Sequence, residues 1–351
     1  MTQVAALSGV SYQTVSRVVN GMPDVANTTR ERVLKVMNET GYRPNVTARQ
    51  LVSQRSSVVG VVTFGTGLYG PTQIMVNLEQ SVKEIGWSVM FCGIEQESAD
   101  EIRRAVKELC SHQVGGVLIH LPLEIDLQHL QDVCRNLPFV AIDSDFGFRA
   151  HSVFVHQELG SCLVTRCLIS LGHTKFAYLR APLIWRASRL RFRGFLKELK
   201  ASNLKPGPII EADWSARGGF EAVRALLSTE CAEFTALIAA NDQMALGAIR
   251  AFEEAGMHVP AKVSVAGFDD IPEAGFLRPP LTTVKQDFAS LGRLSVQCLL
   301  DQLDYPKRTP RNRTIRPTLV LRRANNYTYA HAAFFRRFFG FVHPGEISSS
   351  R

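Results

Sequence analysis

From Val58 onward the chain alternates short apolar, β-branched runs with longer amphipathic stretches, the runs falling at 58–64, 88–92, 114–120, 137–143, 152–155, 175–179, 235–240 and 262–268. A run that is apolar at every position, instead of every second one, is a strand buried on both faces. Strands separated by helical stretches are joined in parallel. Roughly 265 residues of this pattern exceed what one sheet comfortably organises, so the expected body is α/β with two similar parallel-sheet lobes.

In open parallel sheets a ligand sits off the carboxyl ends of the strands. Polar residues stand there: His120 follows Gly-Val-Leu-Ile, Asp143 follows Phe-Val-Ala-Ile, Asn241-Asp242 follows Leu-Ile-Ala-Ala, and Asp269-Asp270 follows Val-Ala-Gly-Phe. Arg189, Arg191 and Arg193 lie on an early helical stretch, and Trp214 stands beside Asp213. Each of these alone fits an N-cap or a turn. Their recurrence at strand ends points instead to a ligand site: carboxylates, a carboxamide and a guanidinium pair with vicinal hydroxyls, and an indole face supports a sugar ring. Asp143 and Asp269 could form an acid/base pair, but no nucleophile elbow, phosphate-binding glycine loop or metal triad accompanies them, so an enzyme is not expected. No cofactor or metal is expected either. The seven cysteines form no CxxC pair and no zinc spacing, and are read as reduced, mostly buried side chains.

The first 56 residues read differently. Val4–Ser8 is a short helical fragment ended by Gly9, and Ser11 offers an oxygen to cap a second helix in which Val15, Val18 and Val19 form an inward stripe. Tyr12, Gln13, Ser16, Arg17 and Asn20 then face outward, near the end of the helix that meets a major groove, with donors and acceptors long enough to reach base edges. Thr28 and Glu31 have capping-box spacing for a third helix, which carries Val33, Val36 and Met37 on one face and stops at Gly41. Pro44 breaks that helix, and 46–53 is a helical segment too short to be stable alone. It either links domains or orders on a partner, with Leu51 as an apolar wedge for a minor-groove step.

Charge supports a polyanion partner for the head. Residues 1–56 hold seven Lys/Arg against three Asp/Glu, residues 322–351 hold five against one, and the net +8 of the chain lies wholly in these two ends. No apolar run is long enough to span a bilayer and no signal peptide opens the chain, so a cytoplasmic protein without membrane contact is expected. These features also separate it from a sugar-binding uptake module, which would have a signal peptide and no basic helical head.

Several strings resemble the LacI/GalR family over nearly the whole length: 11–20 (SYQTVSRVVN), 189–191 (RLR), 213–216 (DWSA), 241–248 (NDQMALGA) and 279–288 (PPLTTVKQDF). The resemblance implies a homodimeric repressor of a lactose-type carbohydrate operon, bound to operator DNA and released by a galactoside-like sugar. It implies a periplasmic-binding-protein-like body with a helix-turn-helix headpiece at 1–44, a hinge helix at 45–56, one lobe from 57–155 with 288–315, the other from 156–287 with 316–324, and a tail at 325–351. The lobes would be interleaved, the chain crossing near 155–157, 285–288 and 315–322. Ser11, Tyr12, Gln13, Ser16, Arg17 and Asn20 would form the DNA-reading surface, Tyr12, Gln13 and Arg17 reading bases, and Leu51 would be the hinge wedge. Asp143, Arg191, Asn241, Asp269 and Gln286 would hydrogen-bond the sugar, with Leu68, Pro71, Ile74, Trp214, Phe288 and Leu291 on its apolar side.

The sequence also departs from the family. It starts late, so helix 1 is expected to lack its first turn and N-cap. Phe64, His120 and Val155 replace, in order, a small hydroxyl residue, a carboxamide and an aromatic of galactoside-responsive members, and Ile184-Trp185-Arg186 crowd the approach to Arg191. Those changes leave open another sugar or a nucleobase as effector. The Phe- and Arg-rich stretch 327–345 has no leucine heptads, so a tetramer is not expected.

Overall fold

The structure, a computed structural model, describes residues 1–19, 22–42, 56–95, 98–121, 126–135, 137–146, 149–229 and 233–323. It divides into two compact units, Met1–Ser57 and Val58–Arg351.

The first unit holds helices α1 (Thr2–Ser8), α2 (Tyr12–Val19) and α3 (Asn27–Glu39). Gly9 ends α1 in the left-handed region at φ 63°, which lets its N–H and that of Val10 return to the carbonyls of Ala6 and Ala5. Ser11 Oγ then accepts from Thr14 N at 3.1 Å and starts α2. Val4, Val15, Val18, Val33 and Met37 close the small core. Met1 precedes α1 and, as expected, supplies no side-chain cap bond. One expectation needs correcting here. Thr28 and Glu31 form no capping box: α3 starts at Asn27, so Thr28 already lies inside the first turn, and Ala26 at the N-cap has no side-chain oxygen to offer.

In the second unit the chain runs β1 (Val58–Phe64), α4 (Tyr69–Glu84), β2 (Ser88–Ile94), α5 (Ala99–Ser111), β3 (Gly116–His120), α6 (Leu127–Val133), β4 (Phe139–Ile142) and β5 (Ser152–Val155). It continues as α7 (Gln157–Ser170), β6 (Phe176–Arg180), α8 (Arg186–Ala201), β7 (Ile209–Glu211), α9 (Ala216–Leu227), β8 (Ala236–Ala239), α10 (Asp242–Glu254) and β9 (Ser264–Ala266). β10 (Thr283–Lys285), α11 (Phe288–Asp304), β11 (Asn312–Ile315) and β12 (Thr318–Val320) complete it.

Two parallel sheets result. One has the order β11-β5-β4-β3-β1-β2 and the other β7-β6-β8-β9, while β10 and β12 pair antiparallel beside the second. The all-apolar runs are explained by cores on both faces of each sheet. Val59 and Val61 pack with Ile74, Leu78 and Leu291 on one side, and Val62, Val117 and Ile119 with Ile102 and Leu109 on the other. In the second sheet Leu179 and Leu237 face one core, and Tyr178 and Ile238 face the other. The chain passes between the sheets after β5, between β10 and α11, and between β11 and β12.

β7, β10 and β12 have three residues each, too few to show a periodic pattern, and sequence reading did not find them. Among the described residues no helix is long and apolar enough to cross a membrane, no group of side chains could hold a metal ion, and the cysteines are free.

Candidate functional site

Between the carboxyl ends of the two sheets lies a cleft of about 60 Å³. Leu68, Pro71 and Ile74 border it from the start of α4, Asp143 and His120 from the ends of β4 and β3, and Phe288 from the first turn of α11. Arg191, Trp214, Asn241, Asp269 and Gln286 border it from the other side. Leu291 does not line the cleft. It is fully buried one helical turn beyond Phe288, in the core beneath.

The polar floor is a closed ring of four side chains. Arg191 Nη2 donates to Asp269 Oδ1 at 3.1 Å, Gln286 Nε2 donates to the same oxygen at 2.7 Å, Gln157 Nε2 donates to Gln286 Oε1 at 2.7 Å, and Arg191 Nε donates to Gln157 Oε1 at 2.9 Å. Arg191 Nη1 also donates to Ala240 O, and the guanidinium lies 3.8 Å from the centroid of the Phe268 ring. Burial pushes the Asp269 carboxyl up, against the pull of Arg191 and of the Gln286 bond. Arg191 is the arginine of its stretch that enters the cleft, since Arg189 donates to Leu183 O and Ile184 O, and Arg193 pairs with Glu158.

Two expected ligand groups have structural duties as well. Asn241 caps α10, its Oδ1 accepting from Met244 N at 2.9 Å, while its Nδ2 donates to Trp214 O at 2.9 Å. That bond and the turn in which Asp213 Oδ1 accepts from Ser215 N hold Trp214 at φ 75°. Among the described residues the buried Trp214 indole N–H has no partner, and a donor left so in a cleft lining is available to a ligand acceptor. Asp143 sits at φ 56°, its Oδ2 3.7 Å from His120 Nε2, and His120 Nδ1 lies 3.4 Å from Thr63 Oγ1.

Sequence reasoning missed Tyr69, Gly70, Gln157 and Ala187, of which Gln157 and Tyr69 bring polar side chains to the lining. Gln157 is the first residue of α7, at the crossing after β5, and completes the floor. Tyr69 follows Leu68, and its phenol is pushed up to about 12, first by burial and then by the charges of Asp269 and Asp242, so it remains a neutral hydroxyl in the cleft. Asp242 lies below the floor, bound by Thr283 and Ile271 N, and Asp270 pairs with Arg322 at 2.8 Å.

On the first unit, Ser11, Tyr12, Gln13 and Arg17 are exposed and Ser16 is half-buried. Arg17 Nη1 lies 3.3 Å from Asp24. Asn20 and Leu51 lie outside the described residues, as do most of the 45–56 segment and the 325–351 tail.

Residues 1–45 match the bacterial regulatory proteins of the lacI family, and residues 165–324 match a periplasmic binding protein-like domain. The lactose operon repressor of Escherichia coli (strain K12) is 38% identical over 321 residues, which cover 91% of this chain and 89% of that protein. The chain belongs to the lacI family. The HTH-type transcriptional repressor PurR of Vibrio vulnificus (strain CMCP6) is 31% identical over 330 residues, 91% of this chain and 96% of its own. Among solved structures, the lac repressor dimer bound to operator and the anti-inducer ONPF matches with a TM-score of 0.82 at 38% identity, covering 92% of this chain and 97% of that one. As a lacI-family protein the chain is a DNA-binding transcriptional repressor with an effector-binding body, and not an enzyme.

Proposed function

We propose that this lacI-family chain represses a carbohydrate-utilisation operon of the lactose type and leaves its operator when a galactoside-like sugar binds in the cleft. The observation that carries the proposal is the Arg191–Asp269–Gln286–Gln157 ring with the Trp214 indole beside it, its centroid 5.6 Å from the Arg191 guanidinium. Fixed donors and acceptors meet adjacent ring hydroxyls, and the indole meets the apolar face of a pyranose. Asp143 and Asn241 add polar contacts, and Leu68, Pro71, Ile74 and Phe288 supply the apolar side. Tyr12, Gln13 and Arg17, with Ser11, Ser16 and Asn20 beside them, read operator bases, and Leu51 wedges the operator centre. The protein acts as a homodimer, one headpiece per operator half-site. The sugar acts through unequal affinity for the bound and released arrangements.

A second reading is favoured by one observation. The Phe64, Trp185 and Trp214 rings form a chain, with centroids 5.6 and 6.0 Å apart, and such a surface also suits a nucleobase. A gel-shift titration on a palindromic lactose-type operator, with galactosides, other sugars and purines added in turn, separates the two. Release by a galactoside is expected. Release by a purine alone establishes the second reading, and operator binding indifferent to every compound removes the effector from both. Operator affinity should also fall steeply with salt, because the basic head displaces counterions from phosphates.

A further inference from the structure

The mouth of the cleft is built unlike its floor. The turn 182–185 brings Pro182, Leu183, Ile184 and Trp185 to the edge, with Leu183 and Ile184 38% and 62% exposed. Trp185 reaches across the body. Its ring centroid lies 5.6 Å from that of Phe64, at the end of β1, and 6.0 Å edge-on from that of Trp214. Phe64 packs on the core of the first sheet and Trp185 on that of the second, so the pair joins the two lobes. The approach is so close that a Cβ on Gly65, already at φ +71°, would come within 2.8 Å of the Trp185 ring.

The next residue makes a second bridge. Arg186 Nη1 donates to Asp143 O at 2.8 Å, and its guanidinium lies 5.8 Å from the Phe154 ring centroid. The turn that presents Trp185 is fixed from behind: Ser188 Oγ donates to Ala181 O at 2.6 Å, Trp185 N to Pro182 O at 3.1 Å, and Arg189 Nη1 to Leu183 O and Ile184 O at 2.6 and 2.9 Å. These bonds hold the turn's backbone, and the Phe64 and Trp214 rings pack on the indole from either side.

We propose that Trp185, closed against Phe64, sets the size of effector that this cleft accepts: a single pyranose with a small aglycone is taken, and a longer saccharide is refused. The inference rests on the sugar reading above. A chain of sugar units leaving the cleft has to displace the Trp185–Phe64 contact, whereas a compact glycoside seated on the Arg191–Asp269 floor has no second unit to pass it. Excluding a ligand by a packed apolar side chain is discrimination by clash, which acts without weakening the contacts made to the favoured one.

The test is isothermal titration of the intact protein with methyl β-galactoside and with a galactose-terminated trisaccharide, for the wild type, Trp185→Ser and Phe64→Ser. The wild type is expected to prefer the methyl glycoside by at least about tenfold, and Trp185→Ser to reduce that ratio to about threefold or less, mainly by gaining the trisaccharide. Phe64→Ser, which removes the other half of the bridge, is expected to shift the ratio the same way, and stands in if the tryptophan variant does not fold. A wild type that binds both ligands equally, or variants that keep the wild-type ratio, overturn the size limit while leaving the sugar reading in place. If none of the three proteins binds a galactoside, the sugar reading itself falls, and the size limit with it.

Discussion

Arg191 Nη2 and Asp269 Oδ1 lie 3.1 Å apart, with both side chains 5% exposed. A buried pair of this kind is held less by its own attraction than by the cost of separating it, because either partner left alone is an uncompensated charge out of water. The side-chain amides of Gln286 and Gln157 close the circuit, so the pair is a fixed floor for a ligand before any ligand arrives.

Asp269→Ala is therefore expected to abolish release of the operator by the sugar and to lower the unfolding free energy of the body by about 3–5 kcal/mol. Gel shift with and without sugar, and denaturant unfolding, report the two effects. A variant that is still induced shows that the ligand site lies elsewhere.

Gln157→Ala removes the residue that joins Arg191 to Gln286. Two buried partners lose a bond, at about 1–3 kcal/mol of stability, and effector affinity should fall about tenfold as the floor loosens. Calorimetric titration measures it, and unchanged affinity would show that the ring is structural only.

A dependence on pH follows from Asp242, which is wholly buried. Burial, and then the nearby Asp269 charge, raise its carboxyl well above the ordinary 3.8, against the bonds from Thr283 and Ile271 N. The folded protein then keeps a proton that the unfolded chain has released. The resulting stability is complete below 3.8 and is lost as pH rises through the folded value. As pH rises above the ordinary 3.8, the Tm of the wild type should decline more steeply than that of Asp242→Asn. Parallel Tm curves for the two proteins would contradict this.

Arg17→Ala should separate DNA reading from folding. The Arg17–Asp24 pair is more than half exposed on both sides, and its loss should change head stability by less than about 0.5 kcal/mol. Operator affinity should drop by about 1–3 kcal/mol if Arg17 contacts a base edge. Fluorescence anisotropy on operator and on scrambled duplex distinguishes a base contact from a phosphate contact, since only the former loss is confined to the operator.

Strands that are apolar on both faces were legible in the sequence, because the pattern needs no partner to be seen: Val58–Phe64 and Ser152–Val155 have the bounds that the runs indicate. Polar residues at strand ends were legible for the same reason, and Asp143, Asn241 and Asp269 all border the cleft. Gln157 was not, because nothing in its local sequence distinguishes it from a polar first-turn residue, and its partners Arg191 and Gln286 are 34 and 129 positions away. Leu291, put on the sugar's apolar side by the resemblance alone, is absent from the lining and lies in the core one turn beyond Phe288. The capping box at Thr28 failed because the motif requires the helix to begin two residues later than it does.

The three passages of the chain between the sheets also govern the order in which the protein can be made. The first lobe has most of its strands once β5 has been synthesised, yet its edge strand β11 and the helix α11 that covers one face come only after the whole of the second sheet. Until residue 315 leaves the ribosome, β5 has an unpaired edge, and the apolar face of Val59, Val61 and Leu118 lacks Leu291, Val296 and Leu299. A nascent chain stalled before that point presents an open sheet edge, and no uninterrupted segment that leaves out the second sheet contains all the strands of the first.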